Sequence, residues 1–167
     1  MKIVLAEESD IGRIMSLIDG CIRDMESHGI HQWNEYYPTR EIFQSDIKSG
    51  SLYEIREKDE ILGIVTINEV QPPEYKGIGW SIQEGRIMAI HRLAVNPKWH
   101  RKGIAGKLLD QAEKLATDKG YASIRLDAYS GNPRALGLYE KRGYRRVGQL
   151  HFPRRELPFY CYEKIMI

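Results

Sequence analysis

The chain has 167 residues, of which 42% are apolar and 29% charged, with a formal net charge of +2. A chain of this length can bury a core without disulfides or metal ions, and the composition argues against disordered and fibrous classes. The small net charge does not indicate nucleic acid binding, and no RNA-binding or zinc-finger motif accompanies it. We expect one domain over residues 1–167 and no nucleic acid partner.

The two cysteines and the N-terminus bear on the cellular compartment. Cys21 and Cys161 lie far apart and form no CxxC pair, so we expect a reducing compartment, no disulfide framework and no metal. Acidic residues begin at Glu7, before a signal-peptide core could form, and no apolar run approaches the ~18 residues of a membrane helix. The sequence therefore predicts a soluble, unprocessed, cytoplasmic protein with no membrane partner.

The first fifty residues predict one strand and two helices. Residues 3–5 are typical of a short buried strand, and Ser9 with Asp10 is predicted to cap the helix that follows. Thr39 is predicted to cap a short helix over residues 40–48, which Gly50 ends. The apolar residues of the first helix recur at helical spacing: Ile11, Ile14, Met15, Ile18 and Ile22.

The middle of the chain predicts a hairpin and a central strand. Two β-rich runs within residues 51–70 flank the charged turn Lys58, Asp59 and Glu60. Residues 86–95, RIMAIHRLAV, are apolar enough for a central strand, although periodicity leaves a buried helix segment open.

The remaining elements complete an α/β (α+β) fold. Residues 101–119 predict a helix, residues 122–129 a strand, and residues 132–143 a short helix capped by Asn132. A strand, a long helix and a strand in this order imply parallel neighbours. Residues 144–152 and 158–166 predict two antiparallel strands. The expected fold is a mixed, mostly antiparallel sheet of about seven strands, flanked by about four helices, with parallel central strands.

The stretch NPKWHRKGIAGKLL, residues 96–109, combines basic side chains with a glycine-opened helix start. Such a helix N-terminus offers unpaired N–H groups and a positive dipole end to a phosphate. The stretch fits neither the Walker pattern, because Leu108 follows Gly106 and Lys107, nor the dinucleotide fingerprint. What remains is His100-x-x-Gly103-x-Ala105, and a basic loop that merely caps an ordinary helix stays an equal alternative.

A second motif gives this stretch a family context. Residues 92–116 together with NPRALGLYEKRGY, residues 132–144, resemble the GNAT superfamily of N-acetyltransferases over nearly the whole chain. The first family motif is a strand followed by Gln/Arg-x-x-Gly-x-Gly/Ala, and the second is Asn-x-x-Ala-x-x-Leu-Tyr-x-Lys-x-Gly-Phe/Tyr. Seven residues match the second motif in register: Asn132, Ala135, Leu138, Tyr139, Lys141, Gly143 and Tyr144.

The resemblance implies direct acetyl transfer from acetyl-CoA to a primary amine of a small molecule or peptide, without a metal. The backbone of residues 93–95 would pair with the pantetheine arm as an added strand, and the N–H groups of residues 101–106 would cradle the pyrophosphate. Lys102 and Lys107 would add charge, unless they are ordinary surface lysines. The implied cofactor-binding set is Leu93, Ala94, Val95, His100, Arg101, Lys102, Gly103, Ile104, Ala105, Gly106, Lys107, Asn132 and Tyr139.

The same resemblance suggests catalytic residues. Tyr139 matches the tyrosine that protonates the departing CoA thiolate, although a packed core tyrosine is the alternative. His91 is the best candidate base, ahead of Glu84, and a structural histidine is its alternative. Regular strand alternation would place His91 and Leu93 on one face and Arg92 on the other. His100 stands where the family usually has Gln or Arg, and we expect cofactor binding to survive because the cradle is mainly backbone.

The acceptor side is less defined by the sequence. Trp33 and Tyr36 could wall a pocket while Glu35 attracts an ammonium group, or the aromatic residues could fasten the early helices to the sheet. Arg154 and Arg155 could bind a carboxylate of the acceptor. Dimers are common in the family, so a homodimer is one expected state. A non-catalytic acyl-CoA-binding or interaction module with the same fold stays open as the alternative function.

Overall fold

The computed structural model describes residues 1–166, which form seven strands and four helices. The strands form one mixed sheet in the order β1-β2-β3-β4-β5-β7-β6. This arrangement confirms the predicted fold class, including the parallel pair β4 and β5. The elements are β1 Lys2–Leu5, α1 Ile11–Ser27, α2 Arg40–Lys48, β2 Leu52–Glu57, β3 Glu60–Asn68, β4 Ile87–Val95, α3 Ile104–Asp118, β5 Ser123–Tyr129, α4 Pro133–Lys141, β6 Arg145–Leu150 and β7 Phe159–Ile165.

The chain divides into two compact units. The first unit comprises Met1–Ile67 and His91–Ala112, and the second comprises Asn68–Ile90 with the described chain from Glu113 onward. The boundary passes through β4 and α3, so each of these elements contributes to both units. The expected single domain over residues 1–167 stays a prediction.

The first unit contains the predicted hairpin. Strand β2 pairs antiparallel with β1 and with β3, and Lys58 adopts a left-handed conformation (φ 55°) in the turn between β2 and β3. Apolar side chains from two helices and from the strands pack into one core cluster, as the helical spacing predicted. Its fully or nearly fully buried members include Ile14, Ile18, Phe43, Leu52, Ile64 and Ala94.

One of the two predicted helix caps in the first unit is wrong. Thr39 caps α2 as predicted, because its Oγ1 accepts a hydrogen bond from the Ile42 N–H at 3.3 Å. Asp10 directly precedes α1, but its side chain makes no capping bond to that helix. A short 3₁₀ turn over Glu8–Asp10 runs straight into α1, so the Asp10 carboxylate instead accepts from the backbone N–H of Glu7 at 2.8 Å.

The second unit contains the parallel pair and the C-terminal strands. Strand β4 pairs with β5 from Ile87 to Ala89, which excludes the helical alternative for this segment. Strand β7 pairs antiparallel with both β5 and β6, as predicted. Asn132 caps α4 by accepting from the Ala135 N–H at 3.2 Å, and Gly143 follows the helix with φ 86°.

Candidate functional site

The end of β4 in the first unit carries the three residues predicted to pair with the pantetheine arm. Ala94 is buried, and Leu93 and Val95 are half-buried. The Val95 carbonyl oxygen accepts from Cys21 Sγ at 3.3 Å and lies 3.3 Å from His100 Nε2. Because this carbonyl already has partners within the protein, a ligand strand at Val95 would depend more on the N–H group than on the carbonyl.

Strand β4 departs from regular geometry at Arg92, where φ is 52°. A left-handed residue interrupts the pleat, so the predicted alternation of His91, Arg92 and Leu93 between two faces is wrong at this position. The Arg92 guanidinium turns to Asp46 of α2, donating from Nε to Oδ2 at 2.9 Å and from Nη2 to Oδ1 at 2.8 Å. Nη1 also donates to the Tyr37 hydroxyl at 3.2 Å.

The loop between β4 and α3 brings backbone N–H groups together. Arg101 and Gly103 both have positive φ, 62° and 78°, immediately before α3 begins at Ile104. Left-handed residues next to right-handed ones direct successive N–H groups into a concave anion site, and the first N–H groups of a helix have no intrahelical partner. The sequence predicted a phosphate cradle in this loop; two left-handed residues before a helix start suit such a site, which stays a prediction.

The side chains of this loop divide into anchors and exposed cations. Ile104 is 1% exposed and belongs to the core, whereas Arg101, Lys102 and Lys107 are exposed. The Lys102 ammonium lies 4.7 Å from the centre of the Trp99 ring. Ala105 and Gly106 are half-buried in the first turn of the helix, where small residues leave the backbone open to a close approach.

His100 connects the cradle to two other elements of the first unit. In addition to its contact with Val95 in β4, its Nδ1 lies 3.9 Å from Asp24 Oδ2 of α1. The imidazole thus has partners on both ring nitrogens within the protein. These contacts hold the loop against β4 and α1, and the predicted part of His100 in cofactor binding stays a prediction.

Two of the predicted residues lie in the second unit, on or beside α4. Tyr139 is 7% exposed and packs edge-on against Tyr144, with ring centres 5.8 Å apart. Burial, together with the charge of Asp127, raises the pKa of Tyr139 far above its usual range. Because its pKa is raised, the phenol keeps its proton at neutral pH and retains an O–H donor. Asn132 occupies the capping position described above.

The predicted acceptor loop separates into a buried and an exposed part. Trp33 is 8% exposed and belongs to the core cluster of the first unit, so the structure gives it the packing role. Asn34 and Tyr37 close a tight turn through paired backbone hydrogen bonds of 3.0 and 3.3 Å. Glu35 and Tyr36 occupy the exposed tip of that turn, and Tyr36 is 64% exposed. Both side chains are therefore accessible from solvent.

The remaining predicted residues add little to this arrangement. His91 is half-buried on β4, Glu84 is exposed, and Arg154 and Arg155 lie in the connection between β6 and β7. Among residues 1–166 no three His, Cys, Asp or Glu side chains form a group that could hold a metal ion. No helix in the same range is long and apolar enough to cross a membrane.

A family profile described as "Acetyltransferase (GNAT) family" matches residues 17–144, about three quarters of the chain. The chain belongs to this family. The match includes the cradle of residues 101–106, Tyr139 and the exposed turn at Glu35, so every predicted cofactor-binding residue lies within it. Membership of the GNAT family confirms the resemblance drawn from the two motifs and supports the prediction of an acetyltransferase.

Curated relatives of this GNAT chain carry acetyltransferase names. N-acetyltransferase 8 from Homo sapiens is 30% identical over 104 residues, which cover 62% of this chain and 42% of that protein. Thialysine N-epsilon-acetyltransferase from Bos taurus is 31% identical over 80 residues, 45% of this chain and 47% of that protein. The matched part of the chain thus spans less than half the length of these relatives.

Solved structures share the GNAT fold along the whole chain. A protein from Staphylococcus aureus Mu50, described as a proposed acetyltransferase, is 28% identical, with complete coverage of both chains and a TM-score of 0.80. A GNAT-family acetyltransferase from Streptococcus agalactiae 2603 is 24% identical, with coverage of 98% of this chain and 94% of that chain and a TM-score of 0.82. The second likeness concerns the fold alone.

Proposed function

We propose that this GNAT-family chain transfers the acetyl group of acetyl-CoA to a primary amine of a small molecule or peptide. The observation that carries the proposal is the backbone cradle of residues 101–106. Two left-handed residues, Arg101 and Gly103, immediately precede a helix there, in the part of the chain that matches the family. Such a cradle suits a pyrophosphate, because its N–H donors and the helix dipole favour the same anionic group.

Acetyl-CoA supplies an activated acetyl thioester. In the first unit, the backbone of Leu93, Ala94 and Val95 would hold the pantetheine arm, and the N–H groups of residues 101–106 would hold the pyrophosphate. Lys102 and Lys107 are exposed cations on either side of the helix start and would add attraction that depends on ionic strength. Asn132 is the further residue that the family resemblance assigns to the pantetheine arm.

Proton transfers complete the proposed reaction. The amine nitrogen forms a bond to the acetyl carbon while the carbon–sulfur bond breaks, and the sulfur leaves with the electron pair. Tyr139 is the residue that the family motif assigns to donate a proton to that sulfur. Burial raises the pKa of Tyr139, so the phenol carries its proton at neutral pH. His91, or water, takes the proton that the amine loses.

The acceptor side and the cellular location belong to the same proposal. Glu35 and Tyr36 are exposed on a closed turn, which suits the attraction of an ammonium group and contact with its alkyl part. Cys21 and Cys161 are free and buried, which supports a reducing, cytoplasmic environment. A homodimer stays a prediction, which sedimentation of the purified chain tests.

Binding of CoA tests the proposal without knowledge of the acceptor. We expect CoA to raise the melting temperature of the protein, because a ligand that binds only the native state stabilises it. Gly103→Ala should weaken that shift, since φ is 78° at this position while no atom lies within 4 Å of an added methyl group. Gly120→Ala is the matched control, with φ 70° and equally open space at the other end of α3.

The two variants separate a loss of stability from a loss of binding. Both alanines must adopt a left-handed conformation, so both should lower the melting temperature of the free protein. Only Gly103→Ala should reduce the additional shift that CoA produces. No shift of the wild-type protein with millimolar CoA would contradict the proposed function.

A further inference from the structure

Arg92 is an outlier in the described chain. Four residues other than glycine have a left-handed backbone, and Lys58, Arg101 and Arg154 among them lie in turns or loops. Arg92 lies inside a strand, between the candidate base His91 and the first residue of the predicted pantetheine segment. A strained residue of this kind persists only where its surroundings hold it, and such residues concentrate at functional sites.

The surroundings of Arg92 hold it through its side chain. Asp46 receives two parallel hydrogen bonds from the guanidinium, and the side chains of Arg92 and Asp46 are only 13% and 10% exposed. Tyr37 accepts a third bond at 3.2 Å. Thr66 of β3 donates to Asp46 Oδ2 at 2.8 Å, which fixes the carboxylate from the other side. The arginine is therefore bound to a helix and to a turn, and its carboxylate partner to a neighbouring strand.

The anchored side chain explains how β4 can keep its irregular backbone. A bidentate arginine–carboxylate pair has a defined geometry in both distance and plane, so it restricts where the Cα of Arg92 can lie. A left-handed residue interrupts the regular pleat of a strand and so changes the direction of the residues that follow it, which here are Leu93, Ala94 and Val95. The ion pair and the direction of the pantetheine segment are thus linked through one backbone torsion.

We propose that the Asp46–Arg92 ion pair is a positioning device that holds Arg92 in its left-handed conformation and thereby sets the backbone of residues 93–95 for CoA. This inference rests on the proposed function. Arg92 is a positioning residue, because it acts through the strand and contacts Asp46 and Tyr37 instead of the cofactor. The competing explanation is that the pair only contributes to folding, as buried ion pairs of uncertain net benefit often do.

Substitution of Arg92 by glycine or by alanine separates the backbone from the side chain. Both variants remove the guanidinium, but glycine adopts a left-handed conformation freely and alanine does not. We expect Arg92→Ala to raise the Kd for CoA by about tenfold relative to Arg92→Gly, the factor that corresponds to the usual cost of a left-handed alanine. Calorimetric titration with CoA measures both values on folded protein and needs no acceptor.

Asp46→Asn tests the anchor while the arginine is retained. The amide keeps the shape of the side chain but removes its charge, so we expect weaker CoA binding by Asp46→Asn alone. Combined with Arg92→Gly, the same substitution should add no further loss, because glycine needs no anchor. Such a double-mutant cycle measures the coupling between the two residues. If Asp46→Asn weakens CoA binding as much in the Arg92→Gly background as in the wild type, the two residues are not coupled and the inference is overturned.

A matched pair in the hairpin turn controls for the substitutions themselves. Lys58 has φ 55°, so Lys58→Gly and Lys58→Ala should differ in melting temperature but not in Kd for CoA. If all Arg92 and Asp46 variants change only the melting temperature and bind CoA as the wild type does, the ion pair is structural and the inference is wrong. Failure of the wild type to bind CoA would instead contradict the proposed function.

Discussion

The ring Nε2 of His100 lies 3.3 Å from the carbonyl oxygen of Val95, so the loop before α3 is attached to the end of β4. Cys21 Sγ donates to the same oxygen at 3.3 Å. Two side chains therefore hold the last carbonyl of the strand, and one of them belongs to the loop that forms the cradle. His100, the residue least typical of the family motif, has a structural task in this position.

We predict that His100→Gln leaves the Kd for CoA within about twofold of the wild type, because the glutamine amide can also donate to the Val95 carbonyl. His100→Ala removes the donor, and it should weaken CoA binding by about two- to tenfold. Calorimetric titration measures both constants. A tenfold loss with glutamine would mean that the imidazole itself is required in the cradle.

Tyr139→Phe should lower kcat by about 10²- to 10⁴-fold while the Kd for CoA stays nearly constant, since only the proton donor is removed. Tyr144→Phe is the matched control. Tyr144 packs against Tyr139 and donates to Glu113 at 3.2 Å, so its loss should lower stability and leave kcat largely intact.

Because burial raises the pKa of Tyr139 far above its usual range, ionisation of this phenol should not limit kcat between about pH 6 and 9. An unchanged kcat in Tyr139→Phe would exclude the residue from the mechanism.

Glu54 on β2 should make the first unit less stable as the pH rises. Its side chain is fully buried, and burial together with the Asp10 carboxylate outweighs the Arg56 guanidinium 2.6 Å away and raises the pKa of Glu54 from 4.5 to about 7. A group whose folded pKa is raised contributes its full stability below pH 4.5 and loses it as the pH passes 7. Glu54→Gln should therefore stabilise the protein by about 1–3 kcal/mol at pH 8 and flatten the dependence between pH 5 and 8.

Denaturant unfolding at pH 5 and pH 8 measures the Glu54 effect. Glu57→Gln, the same substitution on a more exposed side chain of the same strand, should leave the pH dependence as it is in the wild type. Asp10 does not interfere in this window. Burial opposes ionisation of Asp10, but the Glu7 N–H and the Arg56 charge hold its pKa below 3.8. A wild-type protein that gains stability from pH 5 to pH 8 would contradict the assignment.

Gly63→Ala should destabilise the protein by about 1–3 kcal/mol through overpacking. A methyl group at Gly63 would lie 2.9 Å from the Ala94 carbonyl oxygen, 3.0 Å from Ile104 Cγ2 and 3.1 Å from Leu108 Cδ1. The displaced groups belong to the end of β4 and the start of α3, so CoA binding should weaken as well. Gly12→Ala in α1 meets no atom within 4 Å and should be neutral or stabilising by about 0.5–1 kcal/mol. If Gly63→Ala and Gly12→Ala are equally stable in thermal unfolding, β3 accommodates the added methyl group without cost and the prediction is wrong.

Local patterns were sufficient to predict the element order. Helical spacing of apolar residues, the Thr39 and Asn132 caps and the glycines at helix ends all report conformations that neighbouring residues decide. The predicted phosphate cradle rests on an equally local pattern, because Gly103 and Ala105 lie within a few residues of each other, and it stays a prediction.

Long-range contacts explain what the sequence did not predict. Arg92, which has a left-handed backbone, contacts Asp46, which lies 46 positions earlier in the chain, and arginine carries no local signal for positive φ. From the sequence, Trp33 fits equally well as a pocket wall or as a core residue. The structure buries it in the core cluster with side chains of α1 and α2. Asp10 has a suitable capping side chain, but its carboxylate accepts hydrogen bonds within the preceding 3₁₀ turn and from Arg56 instead.

The most direct test of the central claim is mass spectrometry of acetyl-CoA turnover with a mixed library of primary amines. The proposed activity predicts one or more amines that gain a single acetyl group, in equal amount to the CoA released, and a much smaller yield with Tyr139→Phe. An intact acetyl-CoA pool, with no acetylated amine from wild-type protein that binds CoA, would contradict acetyl transfer and favour a non-catalytic acyl-CoA-binding module.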